Sequence, residues 1–169
     1  MDDLRVPSST LLAASDDELS WAVIEPAYAA VNIYDGPAVL AETMRPLTRG
    51  QRALLAVHWC VSEVMNGGIH QFLTNPTGVL ADEAIAAFRL IGVPEAAAAL
   101  TDGISMVAAT PMLADPEAPD YNELEAEEAV DALRDRLAPL DDRIYELLDE
   151  VIYPRAAAYV RTHPEEFVR

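Results

Sequence analysis

Apolar residues in this chain recur at three- and four-residue intervals, and no window alternates apolar with polar positions under β-branched enrichment. A chain patterned this way has helices to build with and nothing from which to lay down a sheet. The clearest stretch follows Thr48 and Gln51, which are spaced to form a capping box. Behind it, "RALLAVHWCVSEVM" sets Leu54, Val57, Val61 and Met65 on one helical face. Asn66-Gly67-Gly68 then stops the helix, because Asn and Gly enter the left-handed C-terminal geometry at little cost. The predicted fold class is all-α: a single compact multi-helix domain with short helices and Pro/Gly corners.

The remaining punctuation fills in the order of elements. Residues 1–14 read as a flexible N-terminal lead-in, and residues 15–169 as one helical domain. Ser15 and Glu18 read as another capping box, opening a helix that Pro26 restarts or kinks. "PAVLAETM" starts at Pro37 and stops near Pro46. After "IHQFL", the stretch "NPTG" has type I turn chemistry at Asn75, Pro76 and Gly78. "ADEAIAAFRLI" ends at Gly92, and Pro94 opens the next helix. A Pro-rich acidic loop at 110–121 precedes two acidic helices, 122–138 and 141–153, divided at Pro139. Pro154 kinks the chain into "RAAAYVRT", and Pro164 starts the closing turn.

At 169 residues the chain is long enough to bury one core. It holds no apolar run of about 18 residues, which predicts no membrane span. The acidic start "MDDLRVPSST" is unlike a signal peptide, so a cytoplasmic location is expected. The single cysteine, Cys60, excludes a disulfide framework within the chain. Charge is the unusual property. Asp and Glu number 29 against 11 arginines and no lysine, for a net of −18. Such a surplus repels phosphate, so no direct contact with nucleic acid or anionic lipid is expected. It is also uneven: residues 111–153 carry fourteen acids against three arginines, a net of −11.

"MNGGIHQFLTNPTG", residues 65–78, is the most chemically varied stretch and the first place to look for a reaction centre. His58 and Glu63 lie five apart, about 140° from one another on a helix, so they share no face. The i, i+4 histidine pair of a helical zinc site is absent. Gly67-Gly68 lacks the following Lys and preceding strand of a phosphate loop. Cys60, inside a helix, reads as a buried apolar residue rather than a thiol nucleophile. The amides of Asn66, Gln71 and Asn75 are predicted to satisfy backbone groups freed where one helix ends and another begins. This corner therefore reads as structural, with no catalytic residue, metal or cofactor. The competing reading is an enzyme or small-ligand pocket built from Asn66, His70, Gln71 and Asn75.

The acidic segment offers more. Glu123, Glu127, Asp131 and Asp135 fall at successive i+4 positions, opposite an inward stripe of Ala126, Val130, Leu133 and Leu137. Asp142, Glu146, Asp149 and Glu150 form a second row. The plain reading is a solvated face. The functional reading is a strip matched to a basic surface, because carboxylates one helical turn apart are spaced on the order of phosphates along a DNA strand. Two such helices side by side would imitate the two strands.

"VSEVMNGGIHQFLTNPTGVLADEAIAAFRLIG" resembles the central signature of the DNA-mimic-protein family, an all-helical bacterial domain. That pattern is an E-x-x-N-G-G run, a Gln-Phe pair, N-x-x-G, an acid-Ala pair and Ile-Gly. It falls here on Glu63, Asn66, Gly67, Gly68, Gln71, Phe72, Asn75, Gly78, Glu83, Ala84, Ile91 and Gly92. The stretches "NIYDG", "LTRGQRALLAVHW" and "LDDRIYELL" also fit, so the resemblance spans roughly residues 19–167. It implies a protein that presents DNA-like surface charge and binds a DNA-binding protein, such as a transcription regulator, in DNA's place. The expectation is an acidic, non-enzymatic binding module whose footprint is the two carboxylate rows. A homodimer would extend such a surface by two-fold symmetry, although no residue pattern fixes one. The remaining competitor is a generic interaction or toxin-immunity module with a basic partner unrelated to DNA.

Overall fold

The computed structural model describes residues 3–110 and 122–169, and these form helices joined by short corners. In chain order they are α1 (Ser9–Ala13), α2 (Asp16–Ala30), α3 (Pro37–Met44), α4 (Arg49–Thr74), α5 (Ala81–Leu90), α6 (Pro94–Ala108), α7 (Glu123–Leu147) and α8 (Tyr153–Thr162). Helix α4 is the centre. Ala53, Leu54, Leu55, Ala56 and Val57 are all buried in succession, which a helix covered on one face only cannot achieve. It is wrapped by α2, α5, α6 and α7, while α8 closes over α2. One continuous core results, with Phe72, Phe88 and Phe167 fully buried. Each such ring contributes roughly 1.5–3 kcal/mol over an exposed position.

Local signals set most of the boundaries. Gln51 N donates to Thr48 Oγ1 at 3.1 Å and Thr48 N donates to Gln51 Oε1 at 3.1 Å, completing the box. Ser15 caps α2 by its position, but neither backbone bond of the box forms, because its hydroxyl donates instead to Glu18 Oε2 at 2.6 Å. "NPTG" does turn, with Gly78 N donating to Asn75 O at 2.9 Å, and the turn continues as a 3-10 helix, Pro76–Leu80. Within the segment expected as a flexible lead-in, Leu4 and Val6 contact the body of the fold. Val6 is buried and bridges to Val168, and Gln51 Nε2 donates to Leu4 O at 3.0 Å. The C-terminal segment is clamped beside it. Gly50 N donates to Glu166 Oε2, and a Cβ on Gly50 would lie 2.6 Å from the ring of Phe167.

Two helix breaks expected at proline do not occur. Helix α2 runs through Pro26, and α7 runs through Pro139 as a single helix of 25 residues. An interior proline costs about 3 kcal/mol through its lost N–H and its clash with the carbonyl four residues back. The apolar anchors on both sides, Leu133 and Leu137 before Pro139 and Ile144 and Leu147 after it, hold the helix across the fault. Pro154 stands in the first turn of α8. A π-turn at Leu148–Ile152 precedes it, in which Tyr153 N–H reaches Leu148 O, five residues back. Met65, expected on the buried stripe of α4, is 51% exposed because the chain turns away just after it. The acidic loop at 110–121 lies outside the described residues, Thr110 excepted.

Candidate functional site

Because α7 is one helix, its two acidic rows join end to end rather than lying side by side. Glu123, Glu127, Asp131, Asp135, Asp142 and Glu146 are all exposed, and so are Asp149 and Glu150 in the π-turn beyond. At 100° per residue, Asp131, Asp135, Asp142 and Glu146 fall within about 60° of one another. They lie opposite the buried Leu133, Leu137 and Ile144. Glu123 and Glu127 sit on the first turns, where Leu124 is 71% exposed and α7 overhangs the body. Asn122 caps this end, its Oδ1 accepting from Leu124 N at 3.2 Å. The acids of the first turn also suit the positive end of the helix dipole.

The expected pair of acidic helices side by side is therefore overturned, and the charge density of α7 is lower than that of a duplex. Helix α7 holds nine acids and three arginines along about 37 Å, close to one net charge per 6 Å. Duplex DNA carries one per roughly 1.7 Å, and each strand one per 3.4 Å. Two carboxylates are also engaged internally: Asp131 by Arg134 at 3.3 Å and Glu146 by Arg143 at 3.5 Å. What the helix presents is one negative stripe, comparable to a sparse single strand.

The Gly67–Gly68 joint positions this stripe. Gly68 has φ +75 and ψ −178, a conformation open to glycine alone, and breaks α4 into two segments. A new helix start leaves backbone N–H groups without partners. Asp141 of α7 supplies one, its Oδ1 accepting from Ile69 N at 2.7 Å. Four residues along α7, the single Tyr145 hydroxyl proton lies between Val64 O at 3.0 Å and Met65 O at 2.9 Å, a donor shared by two carbonyls of the segment before the break. One side of α7 thus repairs the break in α4 while the other carries the acids. Burial pushes the Asp141 pKa up and Asp142 adds to the rise, against the bond from Ile69.

On the other flank of the joint Glu63 gathers the family-motif side chains. Its carboxylate accepts from Gln71 Nε2 at 2.7 Å, Asn75 Nδ2 at 2.9 Å and Thr77 Oγ1 at 3.2 Å. Gln71 and Asn75, expected to bond backbone groups, bond this carboxylate instead. Phe72 is buried in the core, while Asn66 and Gly67 are on the surface. A Cβ on Gly78 would crowd the carbonyl of Leu73. His70 is only 9% exposed, and its Nδ1 is buried with no hydrogen-bond partner among the described residues. Burial first, then the charge of Arg134, pull its pKa down. Its imidazole is turned into the fold and does not share the polar set around Glu63. His58 and Glu63 do diverge: His58 stacks on Trp21 at 4.6 Å. Cys60 is fully buried, and burial pushes its thiol pKa up.

Sequence reasoning missed Asp141 and Tyr145, which lie 72 and 80–81 residues from their partners. One signal was available. Asp141 falls at the inward edge of the α7 stripe, where an acid without a partner would be unfavourable.

A family model described as DMP19-like protein matches residues 45–163, from the turn before α4 to the end of α8. It covers the joint and the acidic helix and leaves out α1, α2 and α3. No curated protein and no solved structure matches the chain.

Proposed function

Because the chain belongs to the DMP19-like protein family, we propose that it is a non-enzymatic binding module whose α7 face occupies the DNA-binding surface of a basic protein. The observation that carries this reading is the continuous exposed stripe of Asp131, Asp135, Asp142 and Glu146 opposite the apolar anchors of the same helix. Such a stripe meets the arginines and lysines that otherwise hold phosphates, and complex formation releases the counterions of both surfaces. A lone stripe with internal Arg pairs has a charge density below that of a duplex. It therefore suits a partner groove that tracks one strand's worth of charge.

The corner supports this reading from a second direction. Gln71 and Asn75 each donate from the amide to Glu63, which gives two of the four residues of the competing pocket a structural role.

The test is capture from native lysate on the immobilised protein, with elution by duplex DNA and, separately, by a salt ladder. The expected result is a DNA-binding protein displaced by duplex DNA. Retention should be lost when Glu127, Asp131 and Asp135 become Gln, Asn and Asn. A partner that duplex DNA leaves in place sinks the mimicry reading and favours a generic acidic interaction module.

A further inference from the structure

An open groove runs between α1 and α2, with Ser9, Ala13 and Ala14 on one wall and Glu18, Trp21 and Glu25 on the other. We propose that this groove seats the guanidinium of an arginine presented by a basic polypeptide, with Trp21 as its stacking face and Glu18 and Glu25 as its counter-charges.

Positions 18, 21 and 25 lie three and four apart, so the indole sits between the two carboxylates on one face of α2. All three are exposed, with Trp21 at 36%. A planar guanidinium stacks on an indole and donates from its edges to carboxylates beside it, a combination that an ammonium matches less well. The seat is pre-set. The Trp21 ring is backed by His58 at 4.6 Å and met edge-on by Tyr28 at 5.2 Å, and Tyr28 stacks on Trp59 at 4.7 Å. Burial lowers the His58 pKa, so the ring behind the indole is neutral near pH 7.

The walls are fixed as well. Arg161 of α8 donates from Nε to Asp16 Oδ1 at 3.0 Å and from Nη1 to Leu11 O at 3.3 Å, fastening α1 to the start of α2. Glu18 gives one oxygen to Ser15, and Glu25 enters no ion pair among the described residues. Both carboxylates therefore have capacity for an incoming cation. The small Ala13 and Ala14 side chains leave room for the arginine's methylene stem. The groove lies outside residues 45–163, so this seat belongs to the part of the chain that the family match does not reach. It is also on different helices from the α7 stripe and stands or falls separately.

The experiment is a titration followed by the indole N–H signal of Trp21 in a proton–nitrogen correlation spectrum. The probes are the blocked peptide acetyl-Gly-Arg-Gly-amide, its citrulline counterpart and free arginine. The arginine peptide is expected to shift the Trp21 signal saturably, with an apparent Kd of about 1–10 mM for a single side chain. Citrulline, which keeps the shape and loses the charge, is expected to leave the signal in place. Free arginine is expected to bind less well, since Glu18 and Glu25 repel its carboxylate. The variants Glu18→Gln and Glu25→Gln are surface changes that leave the fold intact and should each weaken binding roughly two- to fivefold. Equal shifts from the arginine and citrulline peptides, no saturable shift, or unchanged affinity in the double variant would overturn the seat. Free arginine binding as tightly as the peptide would overturn the polypeptide as its source.

Discussion

Asp141 supplies from α7 a cap that the second segment of α4 cannot supply for itself, since Gly68 has no side chain to fold back on the freed N–H groups. The carboxylate holds Ile69 N at 2.7 Å, yet burial pushes its pKa up. A raised folded pKa means that the fold favours the neutral form. The charge therefore costs stability above the folded pKa, and that cost disappears as pH falls through the folded pKa to the ordinary aspartate value of 3.8. Asp141→Asn keeps an acceptor oxygen and removes the charge. It is expected to match or exceed the parent in melting temperature at pH 7, with any advantage vanishing below pH 3.8. Asp141→Leu removes the acceptor and should cost about 1–2 kcal/mol in denaturant unfolding. If Asn proves as harmful as Leu, the charge itself is needed and the cap account is wrong. At Gly68, alanine meets both a glycine-only conformation and the Asp141 carboxylate, so Gly68→Ala is expected to lose about 3 kcal/mol. His70 tests the corner differently. Its orphaned Nδ1 means that His70→Leu should leave stability unchanged or raise it by up to about 1 kcal/mol. A loss of several kcal/mol would reveal a partner for that ring.

Helix α7 shows how an element outlasts its own sequence. Pro139 is exposed, and the helix is held by Leu133, Leu137, Ile144 and Leu147 on either side of it. Restoring the backbone donor with Pro139→Ala should raise stability by about 1–2 kcal/mol, the helix gain less the added freedom of the unfolded chain. A fall in melting temperature would mean that Pro139 shapes α7 rather than merely burdening it. The same contrast explains what could be read in advance. The Thr48–Gln51 box, the Gly67–Gly68 corner and the start at Pro94 are each decided by three or four adjacent residues, and each is where the sequence puts it. The course of the chain through Pro26 and Pro139 is decided by burial against other helices, which no local rule contains. The exposure of the acidic row was legible because period 3.6 separates it from the apolar stripe. The joint's true partners, Asp141 and Tyr145, were hidden because they meet it across 72 and 80–81 residues of chain, a distance no local pattern spans.

On the scale of the molecule, the net charge of −18 sets stability against binding. Like charges one turn apart on α7 repel at roughly 0.2–0.5 kcal/mol per pair, and the whole acidic surface disfavours the compact state. Salt shortens the Debye length from about 30 Å at 0.01 M to about 3 Å at 1 M, less than the spacing between neighbours in the row. Added salt is therefore expected to raise the melting temperature of the free protein. A complex driven by charge and counterion release responds in the opposite sense and weakens steeply over the same range. Neutralising Glu127, Asp131 and Asp135 should reproduce both effects at low salt: up to about 1 kcal/mol more stability, and loss of the basic partner. Thermal unfolding and partner retention measured across one salt series decide the matter. If both rise or both stay flat, the stripe is ordinary solvated surface. If they diverge, the carboxylates are held together against their own repulsion, and a cationic surface relieves it when it binds.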